Sequence, residues 1–187
     1  MGLFAARGAD AVSLRTIATA AGVSAPLIIH HFGSKAGLCA AVDAHLGAAL
    51  AEVIGSLEDP VALTDAGGMA ALLDASLADH PNLLPYLRRV LIEGGGLARS
   101  LFADLHTTTL SLLQRLHAQG VLRPGDDATR AAFLLANDLA VIVFADLITT
   151  ATGSDPTQGE GLGRWTTTVV DVYTRGLFAP SESGTTP

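Results

Sequence analysis

Residues 13–35 read SLRTIATAAGVSAPLIIHHFGSK, and this stretch decides the fold. Ser13 and Ser24 are of the type that caps helix N-termini, because a serine oxygen accepts from a free backbone N–H. Between them, Gly22 suits the turn that ends a helix. Two short helices therefore meet at a tight corner. Ala18 stands four residues before that glycine, where a small side chain lets two helix backbones approach. Ile28 follows six residues after it and can wedge between them. Leu14, Ile17, Ala18 and Ala21 share one helix face. Pro26 falls in the first turn of the second helix, where a missing N–H is tolerated. This is the pattern of a helix-turn-helix, whose second helix fits the major groove of duplex DNA; an ordinary corner between two helices is the plainer alternative.

Outward from this pair, turn signals cut the chain into helix-length pieces, and no stretch alternates apolar and polar residues as a half-buried strand does. Residues 3–7 read as the end of a helix closed by Gly8, and Ser34 caps a long helix that Asp59-Pro60 ends near Leu57. Leu63–Leu77 reads as a helix weakened by Gly67-Gly68. A helix from Pro81 carries Leu83, Leu84, Leu87, Val90 and Leu91 as its apolar stripe, and Gly94-Gly95-Gly96 breaks it. The next, Leu97–Gln119, aligns Leu97, Leu101, Leu105, Leu112 and Leu116, and Gly120 stops it. Asp127–Thr150 is apolar nearly all round, Gly153–Gly161 is a loop, and Leu162–Leu177 places Trp165, Val169, Val172 and Tyr173 on one stripe. The tail from Ala179 reads as disordered. The expected fold is all-α, with about nine helices.

Composition agrees. Hydrophobic residues make up 49% of 187 and aromatics 5%, the profile of an Ala/Leu-rich helical chain with a sizeable core. The longest uninterrupted apolar run in the most apolar segment is Leu139–Ala145, short of the roughly 18 residues of a membrane span. A single cysteine, Cys39, excludes an intramolecular disulfide and fits the cytoplasm. The net charge of −7 is unevenly spread. Residues 1–45 carry Arg7, Arg15 and Lys35 against Asp10 and Asp43, a net +1, while the remainder carries eight basic against sixteen acidic groups. Any contact with DNA belongs to the first 45 residues.

The stretch LFAARGADAVSLRTIATAAGVSAPLIIHHFGSKAGL, residues 3–38, resembles the DNA-binding domain of TetR-type (tetracycline-repressor-like) transcriptional regulators. The matching elements are Leu3-Phe4 with Gly8, Val12-Ser13-Leu14-Arg15, Ile17-Ala18, Ala21-Gly22-Val23-Ser24, His31-Phe32, Ser34-Lys35 and Leu38. The resemblance implies a helix-turn-helix domain over 1–45, a ligand-binding and dimerisation domain over 46–179, and a tail over 180–187. It implies DNA contacts from Ser13, Arg15, Thr16, Ser24, Ala25, Pro26, Leu27, Ile29, His30 and Lys35, with Lys35 resembling the family's phosphate-contacting lysine. His31 is expected to pack rather than touch DNA.

The chain departs from the family pattern twice. Met1 aligns with the middle of the family's first helix, without the basic arm before it. Ile29 stands where a tyrosine often meets a phosphate, so the recognition helix is unusually apolar, offering thymine-methyl contacts from Leu27 or Ile29 and a hydrogen bond from His30. The expected function is a ligand-responsive regulator, a repressor by the family's usual sign. It would bind a palindromic double-stranded DNA operator as a homodimer through its last two long helices, two recognition helices standing about 34–36 Å apart. A helical dimer that binds a small molecule and has lost DNA binding is the alternative.

Met69, Leu73, Tyr86, Phe102, His106, Leu113, Phe133 and Asn137 are the expected effector-pocket residues, suited to an apolar, neutral or cationic molecule. Asn137 and Asp138 interrupt an apolar run and need partners if buried. No cofactor, metal or membrane partner is expected, and no enzymatic activity. His30, His31, Cys39 and His45 are close in sequence but do not converge as the four ligands of a zinc site. Gly159-Glu160-Gly161-Leu162-Gly163 lacks dinucleotide-loop spacing and a preceding strand.

Overall fold

The computed structural model describes residues 1–56 and 65–175. Among them the chain is all-helical: α1 Gly2–Arg7, α2 Leu14–Ala21, α3 Ala25–Phe32, α4 Lys35–Ser56, α5 Ala66–Ala78, α6 Leu83–Glu93, α7 Gly95–Ala118, α8 Asp127–Thr152 and α9 Gly159–Arg175. The expected ends near Leu57 with Asp59-Pro60, at Leu63 and at Leu177, and the tail, lie outside the described residues.

The local signals act as read. Ser13 Oγ accepts from Thr16 N at 3.1 Å and Ser24 Oγ from Leu27 N at 3.3 Å, capping α2 and α3. Gly22 is left-handed, its N–H donating to Thr19 and the Val23 N–H to Ala18, which satisfies carbonyls that the end of α2 would leave unpaired. Gly120 ends α7 in the same way, through Val121 N–H to Leu116. Asp65 caps α5 by accepting from Gly67 N, so Gly67-Gly68 lies in the first turn rather than weakening the interior.

One hydrophobic core joins the first four helices to α6, α7 and α8. It joins Phe4, Val12, Ala18, Ile28 and Leu38 to Leu46, Ala49, Leu50 and Val53 of α4, then to Leu83, Leu87 and Val90 of α6, and on to Leu101, Leu105 and Leu135. α4 crosses residue 45 without a break, so the two expected domains share a helix and a core. α1 packs on α6, α2 on α3 and α3 on α4; α4 packs on α5 and α6, α6 on α7 and α8, α7 on α8, and α5 on α9.

Three expected stripes are rotated. In α6 the buried line is Leu83, Tyr86, Leu87 and Val90, with Leu84 and Leu91 half-buried. In α7 it is Leu101, Leu105, Leu113 and Leu116, with Leu112 half-buried. In α9 it is Gly161, Leu162, Thr166 and Val170, while Trp165, Val169 and Val172 are half-buried and Tyr173 is exposed. Periodicity finds the apolar side of a helix to within one residue, and packing partners fix the rest. α4 over Lys35–Ile54 and α8 are long and apolar enough on average to cross a membrane, but α4 spends its apolar face on the core.

Candidate nucleic-acid interface

The start of the chain presents three helix N-termini, those of α2, α3 and α4, with no acidic residue in any first turn. Each is capped by a serine; Ser34 Oγ accepts from Gly37 N at 3.0 Å. Free amides and the dipole make such ends favourable for phosphate. Ser13 and Ser24 are exposed, as is Arg15, while Thr16 is half-buried and shares its hydroxyl with Ser13 at 2.8 Å. Lys35 is half-buried, and its Nζ donates to the Asp10 carbonyl at 3.1 Å. One of its three donors is thereby used to aim the ammonium, and two remain for an anion.

α3 buries Ile28, half-buries Ala25 and Phe32, and exposes Pro26, Leu27, Ile29, His30 and His31. His31 packs edge-on to Phe32, ring centroids 4.7 Å apart. Of the ten expected DNA residues, seven are exposed (Ser13, Arg15, Ser24, Pro26, Leu27, Ile29 and His30) and three half-buried (Thr16, Ala25 and Lys35). Ser34, read from the sequence as a cap, adds a third serine beside Lys35.

The joint behind this surface is not legible in the sequence. Tyr86 of α6 is 5% exposed, and its hydroxyl donates to Asp43 Oδ1 of α4 at 2.7 Å. Its ring lies 6.4 Å from that of Phe4 in α1. Burial, then the bond to Asp43, pushes the Tyr86 phenol well above its ordinary range. Beside it, Arg89 Nε meets Glu93 Oε1 at 2.8 Å directly beneath Gly8. α6 therefore touches both α1 and α4, the two helices that hold the helix-turn-helix pair. No sequence signal links Asp43 to Tyr86, because the pairing depends on how distant helices dock. Tyr86→Phe should cost about 1 kcal/mol, the usual net worth of such a bond. Asp43→Ala should add little in the Tyr86→Phe background, a coupling that urea unfolding of the single and double variants measures.

Tyr86, an expected effector-pocket residue, lies in this joint, on the buried line of α6. Phe133, also expected in the pocket, is 60% exposed. On α8 it shares a side with Ala140, Phe144 and Leu147, away from the buried Ala131 and Leu135. Asn137 is exposed and donates from Nδ2 to the Phe133 carbonyl at 2.7 Å. Asp138 is exposed as well, yet desolvation by the surrounding protein pushes its carboxyl up to about 6. Met69, Leu73 and His106 are half-buried, Leu113 is buried, Phe102 is exposed, and His106 Nε2 bonds the Ala128 carbonyl at 3.0 Å.

Two hollows are open. One, of about 430 Å³, lies among Ala5, α6, α8 and the α8–α9 connection, and Arg88 pairs with Asp146 at 2.6 Å beside it. The other, of about 200 Å³, lies between Ile54 and the Thr107–Arg115 stretch of α7. Neither is lined by any of the eight expected effector residues. Among the described residues, no group of three or more His, Cys, Asp or Glu could hold a metal ion.

Comparison with known proteins places these features in context. Residues 1–42 match the family described as bacterial regulatory proteins, tetR family. Residues 79–179 match the tetracyclin repressor-like C-terminal domain. The chain is 36% identical over 124 residues to the HTH-type transcriptional regulatory protein RaaS of Mycobacterium tuberculosis, a stretch covering 66% of this chain and 57% of that relative's length. It is 32% identical over 165 residues to an HTH-type transcriptional repressor of the same species, covering 86% of this chain and 77% of that one. Among solved structures, the fold resembles the TetR family regulator PfmR of Thermus thermophilus, with TM-score 0.58, 22% identity and 95% of each chain covered. It also resembles a TetR-family regulator of Pectobacterium atrosepticum, with TM-score 0.54, 21% identity and 95% and 89% covered.

Proposed function

The chain belongs to the tetR family of bacterial regulatory proteins, whose members are regulators rather than enzymes, and from that premise we propose that it is a dimeric repressor acting in the cytoplasm. It binds a palindromic operator and is released by a small apolar or cationic effector. The observation that carries this reading is the capped helix-turn-helix: α2 packs on α3 and α3 on α4, each helix starts on a serine cap free of first-turn acids, and Arg15 and Lys35 lie in the first turns of α2 and α4. One such unit with net charge near +1 binds weakly, and two held at one helical turn of DNA bind well.

The outward side of α8, with Phe133, Phe144 and Leu147 exposed, supports pairing with a second copy. On α9, the half-buried Trp165, Val169 and Val172 leave further apolar surface that such a pairing could cover. For the effector, α5 packs on α4 and α9 whereas α7 packs on α6 and α8. Met69, Leu73, Phe102, His106 and Leu113 lie on these two sets of helices. Binding between them would shift α6, and the Tyr86–Asp43 and Phe4 contacts would carry that shift to α4 and α1.

A gel shift with the gene's own upstream region, repeated over a range of salt, tests the reading. Saturable binding that weakens steeply with salt is expected; no retardation at low salt would overturn it. Lys35→Ala should weaken binding to all sequences alike. It should also flatten the slope of log affinity against log salt by about two, one phosphate contact per protomer.

A further inference from the structure

Resting on the regulator reading, we infer that Leu27 reads the C5-methyl group of a thymine in each operator half-site, with Pro26 and His30 beside it and Ile29 outside the base-reading face. The buried Ile28 and the half-buried Ala25 and Phe32 mark the inward side of α3. With 3.6 residues per turn, the opposite side carries Pro26, Leu27 and His30, while Ile29 falls on the flank nearer Ala25. Exposure agrees, at 51% for Leu27 against 40% for Ile29. Pro26 and Leu27 also lie in the first turn, the end of a recognition helix that meets base edges. Ile29, farther along and to the side, is placed towards the sugar-phosphate edge.

The chemistry of this face is narrow. Residues 25–32 contain no Asp, Glu, Lys or Arg, and His31 falls off the outward face, its ring edge-on to Phe32. His30 is the one side chain on the outward face of α3 that can hydrogen-bond a base. A leucine laid over a donor or acceptor in the groove would strip it of water and return nothing. The major-groove feature that rewards an apolar side chain is the thymine methyl. Burying one methyl-sized group changes an equilibrium about four-fold.

The test begins with duplexes that the full-length protein selects from a random pool. In the selected half-site each thymine is replaced in turn by uracil, which pairs identically and lacks only the methyl. One thymine per half-site is expected to show an approximately four-fold loss of affinity, and about sixteen-fold when both half-sites are changed. Leu27→Ala, at an exposed position where alanine favours the helix, should remain folded by circular dichroism and bind thymine and uracil duplexes equally. Ile29→Ala should keep the discrimination. Unchanged binding at every thymine, a half-site without thymine, or a penalty undiminished in Leu27→Ala would overturn the assignment and leave the regulator reading standing. Failure to enrich any duplex would overturn both.

Discussion

Gly8→Ala should lower stability by about 3 kcal/mol, or roughly 10 °C in Tm for a chain of this length. Gly8 closes α1 with φ 78° and ψ 154°, a region essentially reserved for glycine. It is also buried. A Cβ there would stand 2.7 Å from Arg89 Nη2 and 3.1 Å from Glu93 Oε1, so backbone strain and a displaced ion pair add. Gly22→Ala supplies the contrast. Gly22 is left-handed at φ 68° with open space around its α-carbon, so alanine there should cost only about 1 kcal/mol. Thermal unfolding of the two variants side by side reads the difference. Equal losses would mean that the Arg89–Glu93 layer under α1 carries no weight. Because α1 and α6 meet at this point, Gly8→Ala should also reduce operator binding at temperatures where the chain is still folded.

The second large effect concerns the outer side of α8. Phe144 and Leu147 are 50% and 67% exposed in the single chain, so changing both to aspartate removes little from the protomer's own core. In a dimer that buries them, two like charges per protomer would face each other across an apolar seam. The double variant should sediment as a monomer with its helical content intact. Its operator affinity should fall by about a hundred-fold or more, the advantage that a linked second half-site confers. A double variant that remains dimeric would move the interface elsewhere. One that is monomeric yet binds with full affinity would remove the need for two copies.

Neither variant could be chosen from the sequence in the same way. Gly8 is visible there as a helix end, but Arg89 and Glu93 lie more than eighty residues on. Their approach follows from the docking of α1 on α6. α8 reads as apolar nearly all round, and only its contacts with α6 and α7 separate an inward Leu135 from an outward Phe133. Composition points Phe133 and Asn137 to a pocket, and an aromatic ring does the same for Tyr86. The observed register turns the first two outward and places the third between Phe4 and Asp43.

The helix-turn-helix, its serine caps, its glycine corner and the all-α class are written in the sequence. Each rests on interactions three to five residues apart, such as Ser13 with Thr16, Ser24 with Leu27 and Val23 with Ala18. Those interactions form in any context that permits a helix. The partner of Tyr86, the outward side of α8 and the greater exposure of Leu27 than of Ile29 were decided by tertiary structure alone. Each depends on the rotation of a helix about its own axis, and that rotation is set by the summed burial of side chains from helices far apart in the chain.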